Sequence, residues 1–221
     1  MKKIIFLASF CSMLFADNGF LIKSEEPFDT GKILETIERK MAEDATVEKM
    51  VEDAAVEGGI EVALAKAIAK VESNFNPKAV SSSNAIGVMQ LKMDTAVKDI
   101  YATFYQSTML PDKEALFDPR QNAKLGVAYL KLLQQKYLKD INDTKSIEYC
   151  TIASYNAGAG TVLRTFHDDK TEAAKVINSL SSDEVLRRLM NDMRSEQGRR
   201  YVVKVLEAKK GYKKSIEVQG E

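Results

Sequence analysis

The sequence predicts an all-α protein. Three features carry that prediction. Apolar residues recur at threes and fours along most of the chain. No segment shows the strict two-residue alternation of a half-buried strand. The breaks between periodic segments are short and rich in Gly, Pro, Ser and Asn. With 221 residues, 45% of them hydrophobic, the chain can bury a sizeable core and is too apolar for wholesale disorder. No internal repeat of roughly 20–50 residues is present.

The first segment, MKKIIFLASFCSMLFA, places Lys2 and Lys3 before an apolar run too short to span a bilayer. It reads as a cleavable signal peptide, residues 1–16, cut after the small residue Ala16. The expected destination is the periplasm. Phe10 stands where a lipoprotein signal needs a small residue before its cysteine, which argues against lipid anchoring at Cys11. Without the signal, 30 bases face 32 acids. From Gly31 to about Glu57, Ile33, Leu34, Ile37, Met41, Val47, Met50, Val51 and Ala54 have helical spacing, and Gly58-Gly59 ends the pattern. This part is acidic: residues 17–58 hold 12 acids and 5 bases.

Ile60 to Ser73 is the cleanest helical segment, rich in Ala with Leu, Val and Ile. Asn74 to Asn84 is a polar loop containing Pro77 and three serines. Ala85 to Tyr105 reads as a short turn and then a helix. Ser107 to Pro119 reads as a loop, and Arg120 to Leu138 as a helix with Leu125, Ala128, Tyr129, Leu132 and Leu133 on one stripe. Ser146 to Asn156 forms another helix, closed by Gly158 and Gly160. Short helices are expected at about 160–166, 169–178 and 182–191, and a last one from Glu196 to Lys210.

Composition narrows the chemistry. One histidine, His167, and two cysteines, Cys11 and Cys150, are too few for a four-ligand structural zinc, and no metal or cofactor is expected. Removing Cys11 with the signal leaves Cys150 without an intramolecular partner, a buried thiol in an apolar stretch. His167 with Asp168 or Asp169 lacks any nucleophile-elbow motif. A Cys150–His167 pair has no local signature. Gly158-Ala159-Gly160 lacks the Lys-Ser/Thr tail of a phosphate loop. The whole-chain charge of zero gives no pull toward nucleic acid. Residues 187–221 nevertheless hold 10 bases against 5 acids. They read either as solvated helix faces or as a basic wall, Arg199 and Arg200 included, lying along an anionic polymer.

Glu72 is the candidate acid. On a helical wheel it flanks the stripe formed by Ile60, Ala63, Leu64, Ala67, Ile68 and Val71, with Lys66 and Lys70 well away. A carboxyl with apolar neighbours, no ion partner and a helix C-terminus close by should have a raised pKa. A general acid working near neutrality needs that property.

The run from Glu72 to Ala96, ESNFNPKAVSSSNAIGVMQLKMDTA, resembles the signature of soluble-type lytic transglycosylases, the SLT domain family. Phe117-Asp118-Pro119 with Asn122 and Gly126-Val127-Ala128-Tyr129-Leu130 resembles the family's second block. Tyr155-Asn156-Ala157-Gly158-Ala159-Gly160 resembles its third. Thr161-Val162-Leu163-Arg164 and Arg199-Arg200-Tyr201-Val202-Val203-Lys204-Val205 look like the membrane-bound lytic murein transglycosylase C branch. The resemblance covers about residues 50–210.

It implies a lysozyme-like, goose-type helical domain with an N-terminal helical extension. The implied division is an acidic arm and extension at 17–46, a catalytic domain at 47–212 and a flexible tail at 213–221. The implied partner is the glycan strand of peptidoglycan. It would be cut between N-acetylmuramic acid and N-acetylglucosamine to leave a 1,6-anhydromuramic acid end. Glu72 would be the catalytic acid and then base. Ser81, Gln90, Tyr155, Asn156 and Tyr201 would bind substrate, with Tyr155 touching Glu72 or sugar and Tyr201 closing the cleft. Ser73 would stiffen the turn after the helix, Gly87 would let backbone approach the substrate, and Met89 reads as core. Lys92 and Asp94 depart from the family pattern, which carries an apolar residue and often a Pro there. A monomer is expected, with the acidic N-terminal helix free for an envelope protein. Two other readings stay open: a hydrolase of the same fold using Asp94 or Asp99 as a second carboxylate, and a non-catalytic envelope scaffold.

Overall fold

The computed structural model describes residues 30–219; the expected signal peptide at 1–16 and the arm up to residue 29 lie outside the described residues. Nine α-helices follow one another among them: α1 Thr30–Gly58, α2 Val62–Ser73, α3 Lys98–Phe104, α4 Pro119–Leu132, α5 Thr144–Ala157, α6 Ala159–Arg164, α7 Lys170–Asn178, α8 Ser182–Asn191 and α9 Glu196–Gln219. A 3-10 turn at Lys113–Phe117 and π turns at Met93–Val97 and Leu133–Tyr137 extend or precede helices. No strand is present among the described residues. Two isolated bridges, Val80 with Ile86 and Ile86 with Leu91, are the only β pairing there.

Lys40–Glu221 forms one compact unit. The described part of the other unit is the first stretch of α1, where residues 31–39 are exposed, Ile33, Leu34 and Ile37 included. Within the larger unit, the second half of α1 buries Val47, Val51, Ala54 and Ala55. The buried residues of α2 are Ala63, Leu64, Ala65, Ala67, Ile68 and Ala69. Four alanines on that surface let α9 lie close along α2, its most extensive neighbour, and α9 contributes Tyr201, Val202 and Val205 to the shared core. A second, smaller cluster around Ile86, Leu91, Val97, Ile100, Leu116, Leu125 and Leu132 supports the segment between α2 and α4.

The ends of the helices follow from local chemistry. Asp118 accepts from the Gln121 amide at 2.7 Å and Pro119 opens α4. Asp143 does the same for α5 through the Ser146 amide at 2.7 Å. Asp169 and Ser181 cap α7 and α8.

The last helix departs from expectation. It runs to Gln219 rather than ending near Lys210, so residues 213–219 of the expected tail are helical. The reason is an ion cluster that the local sequence does not reveal. Lys209, 4% exposed, reaches Glu61 at 2.5 Å and Glu148 at 2.6 Å, and Lys213 reaches Glu61 at 3.2 Å one turn later. These pairs fasten α9 to the start of α2 and to α5.

From Asn74 to Lys92 the chain forms no helix, so its buried backbone polar groups need other partners. Asn122 supplies some of them from inside α4, with no exposed surface. Its Nδ2 donates to the Ile86 carbonyl at 2.9 Å and the Leu116 carbonyl at 2.8 Å, and its Oδ1 accepts from the Met89 amide at 2.8 Å. Gly87, at φ +78, makes room for this: a Cβ there would stand 2.3 Å from Asn122 Nδ2 and 2.5 Å from the Leu116 carbonyl.

Asn122→Ala should therefore destabilise the protein by about 2–5 kcal/mol, because the Met89 amide and the Leu116 carbonyl lose their partner and the Ile86 carbonyl keeps only the Leu91 amide. Gly87→Ala should cost a similar amount. Urea melts of the two single variants and the double should show strong non-additivity, since both substitutions damage one packing unit. Simple additivity would mean that the two residues act separately.

Candidate active site

Helix α2 ends abruptly just after Glu72. Asn74 and Phe75 both adopt left-handed backbone, φ 54 and φ 61, and the Asn74 amide returns to the Lys70 carbonyl. Two consecutive non-glycine residues in that region are uncommon. The burial of Phe75, 3% exposed, helps hold them there. Ser73 locks the turn: its Oγ donates to the Val88 carbonyl at 2.7 Å and accepts from the Asn76 amide at 3.1 Å.

Glu72 thereby faces a cleft of about 610 Å³. Ser81, Ser83, Gln90, Lys92 and Thr95 line it on one side, and Tyr129, Tyr155, Asn156, Thr161 and Gln197 on the other. Hollows of about 360 and 500 Å³ elsewhere contain none of the expected catalytic or substrate-binding residues.

By surface area Glu72 is only partly covered, but its carboxyl is closely surrounded by protein and loses most of its water. Burial raises its pKa from 4.5 to about 7. The nearby Tyr201 hydroxyl pulls the value down, but less. That hydroxyl forms no hydrogen bond of normal geometry with Glu72 or any other group, although it is fully buried. Its own pKa is driven well above the usual phenol value, first by burial and then by the Glu72 charge. Tyr201 does not line the cleft. It backs the acid from α9 instead of closing over a ligand, as the sequence suggested.

Tyr155 has a structural bond as well. It lines the cleft, but its hydroxyl donates to the Met89 carbonyl at 2.8 Å, tying α5 to the Ile86–Gln90 segment. The Tyr129 ring packs edge-on against it at 5.4 Å. Gln90 lines the cleft at φ 48, with Nε2 donating to the Ala79 and Gly87 carbonyls at 3.2 and 3.0 Å. Only its Oε1 remains for a ligand. Ser81 Oγ accepts from the Ala85 amide at 3.0 Å and lies 3.2 Å from Ser83 Oγ. Asn156 lines the cleft. Met89 is fully buried. Gly87 is absent from the cleft wall, since the space it frees is taken by Asn122 and Leu116.

The alternative nucleophiles separate. Cys150 is fully buried, and burial pushes its thiol up to about 12. His167 is exposed, with Nδ1 accepting from the Asp169 amide at 3.0 Å. The candidate second carboxylates do not reach the cleft wall: Asp94 is exposed, and Asp99 accepts from the Tyr137 hydroxyl at 2.8 Å. The basic residues near the C-terminal end do not line this cleft. Arg187 and Arg188 pair with Glu184, Arg200 with Glu196, and Lys209 and Lys213 with Glu61, while Arg199 donates to the Met193 carbonyl. None of these bases lines the cleft, because each is drawn to a nearer acceptor.

The model of the transglycosylase SLT domain family matches residues 49–178. The chain belongs to that family. Membrane-bound lytic murein transglycosylase C from Yersinia pestis (strain Pestoides F) and from Yersinia pseudotuberculosis serotype O:1b (strain IP 31758) are each 45% identical to it over 156 residues. The match covers 71% of this chain and 43% of theirs, so the chain spans less than half the length of these curated relatives. An inactive mutant of lytic transglycosylase Slt from Pseudomonas aeruginosa superposes with a TM-score of 0.59 at 25% identity, covering 76% of this chain and 24% of that one. The 70 kDa soluble lytic transglycosylase from Escherichia coli gives 0.56 at 22% identity, with the same coverage, and agrees in fold. The SLT domain here thus has the lysozyme-like helical architecture.

Two residues of the second sequence block were given no role in the sequence reading. Tyr129 sits on the apolar stripe of α4 and reads as core, yet it forms part of the cleft wall. Burial, then the Asp99 charge, pushes its hydroxyl up to about 12. Asn122 is polar in an otherwise apolar row, and that contrast was the available signal.

The raised pKa of Glu72 has a measurable sign. The folded state holds this proton more tightly than the unfolded chain, so stability falls as pH rises from 4.5 to about 7. Glu72→Gln removes that loss. In thermal melts the variant should match wild type near about pH 4 and exceed it by about 3 kcal/mol near about pH 8. Equal stability at both pH values would contradict a desolvated acid.

Proposed function

We propose that the chain cleaves the β-1,4 bond between N-acetylmuramic acid and N-acetylglucosamine in peptidoglycan as a lytic transglycosylase, with Glu72 serving first as acid and then as base. One observation carries the reading. Among the described residues Glu72 is the only carboxylate lining the cleft, and its pKa is raised to about 7. Glycosidases that activate water use a second carboxylate, whereas an intramolecular reaction does not.

In this mechanism Glu72 donates its proton to the glycosidic oxygen as the bond from C1 breaks. The substrate's N-acetyl oxygen stabilises C1. The muramyl C6 hydroxyl then attacks C1 and closes the 1,6-anhydro ring, and its proton passes to the Glu72 carboxylate. No water is consumed. The nucleophile belongs to the sugar itself, so effective molarity replaces a second side chain. Gln90 through Oε1, together with Ser81 and Asn156, holds the sugars. Tyr155 positions the segment beneath them, and Tyr201 moderates the acid. The expected signal peptide fits a periplasmic site of action, where this polymer lies. No described helix is long and apolar enough to cross a membrane.

Purified peptidoglycan should yield fragments with 1,6-anhydromuramic ends by mass spectrometry, and Glu72→Gln should lower their rate of formation by about 10³-fold. For the wild type, kcat/KM should fall as pH rises above about 7, because the acid must enter the reaction protonated. Reducing muramic acid ends would identify a hydrolase. No product from the wild type would favour a scaffold.

A further inference from the structure

Apart from Glu72, the cleft wall carries one charged residue, Lys92. Its backbone is firmly placed. Leu91, just before it, exchanges hydrogen bonds with Ile86 at 2.9 and 3.0 Å, and the Lys92 carbonyl accepts from the Val97 amide at 3.1 Å, opening the π turn. Its side chain is half-buried. Among the described residues no hydrogen bond or ion pair engages the ammonium.

That makes Lys92 the exception in this molecule. The other lysines with described side chains that are not exposed are Lys66, Lys131 and Lys209. Lys66 is matched by Glu48 at 3.0 Å and Glu52 at 3.7 Å. Lys209 is matched by Glu61 and Glu148. Lys131 donates to the Gly58 carbonyl at 3.3 Å. The Lys92 ammonium, by contrast, keeps its hydrogen-bonding capacity for what enters the cleft. Below about pH 7, where Glu72 is mostly protonated, Lys92 is also the only formal charge on the cleft wall among the described residues. A cleft of this kind is complementary to a ligand bearing one anionic group beside neutral sugars.

We propose that Lys92 is a specificity-determining residue that binds a carboxylate carried on the lactyl arm of muramic acid. This rests on the glycan-cleaving reading above. In a peptidoglycan strand the sugar rings and acetamido groups are neutral, and negative charge enters through that arm alone. The carboxylate has two sources: the lactyl group itself where the peptide has been removed, or the acidic residues of the stem peptide where it remains. Lys92 holds the muramic residue by its arm, which orients that sugar in the cleft.

The test measures binding rather than turnover, in a full-chain Glu72→Gln background. Three strand preparations serve as probes: peptide-bearing strands, strands stripped of peptide by an amidase, and stripped strands whose lactyl carboxylate has been converted to a methylamide. At low salt the better of the two charged strands should bind about tenfold tighter than the amidated one, the worth of one charge-assisted hydrogen bond. Lys92→Met should abolish this ratio and Lys92→Arg should retain it. Preference for peptide-bearing strands assigns the carboxylate to the stem peptide; preference for stripped strands assigns it to the lactyl group. A ratio unchanged by Lys92→Met overturns the proposal, as does failure of the Glu72→Gln protein to bind any strand. Reducing-end products from the wild type, with a Lys92-dependent ratio intact, overturn the transglycosylase chemistry and uphold the role of Lys92.

Discussion

The site depends on how one short stretch of irregular backbone, Ile86 to Gln90, is satisfied where water does not reach. Three helices each contribute one side chain to it. Ser73 at the end of α2 donates to the Val88 carbonyl, Asn122 inside α4 brackets the stretch through Ile86 and Met89, and Tyr155 near the end of α5 donates to the Met89 carbonyl. A buried backbone group without a partner is unfavourable by an amount comparable to a whole hydrogen bond. The segment can therefore settle only where all three side chains arrive together. Two of the three adjoin or belong to the cleft wall: Ser73 follows Glu72, and Tyr155 faces it. The bonds that fix the loop thus also fix the acid relative to the opposite wall.

Charge is arranged to the same end. The sequence divides into an acidic start and a basic finish, but in the fold these charges find partners locally. The Lys209 and Lys213 ammoniums hold the Glu61 carboxyl below its usual range against the opposing effect of burial. Their cluster joins the first turn of α2 to α9. Glu72 and Tyr201 sit further along the same two helices. An ion cluster at one end of a packed helix pair thus helps set the spacing at the other, where no charged side chain could be tolerated beside the acid without shifting its pKa.

Much of this was legible in the sequence, and the reasons are physical. Helical periodicity in the α2, α4 and α5 segments located those elements, because amphipathic spacing is local information. Glu72 could be singled out because its position on the wheel already implied apolar neighbours. The limits were set by long-range pairing. The last helix runs past Lys210 because Lys213 meets a glutamate some 150 residues earlier. For Lys209 and Lys213 in the basic finish the partner Glu61 lies far back in the chain, which the local sequence does not reveal. The bond from the Tyr155 hydroxyl to the Met89 carbonyl and the place of Tyr201 behind the acid were not legible, because a motif names residues but not the direction in which they point. Gly87 was read as an approach for ligand when the atom it excludes would strike Asn122.

The partnerless hydroxyl of Tyr201 has a consequence of its own. An unsatisfied buried donor is a standing penalty, but it weighs unequally on the two forms of its neighbour. While Glu72 keeps its proton, the acid is a poor acceptor and the penalty remains. Once the proton leaves, a carboxylate stands beside a donor that has no competing bond to give up, and a small rotation relieves both groups. The arrangement compresses the free-energy gap between the neutral and ionised acid from the neutral side. It therefore lowers the reorganisation that must accompany each passage of the proton.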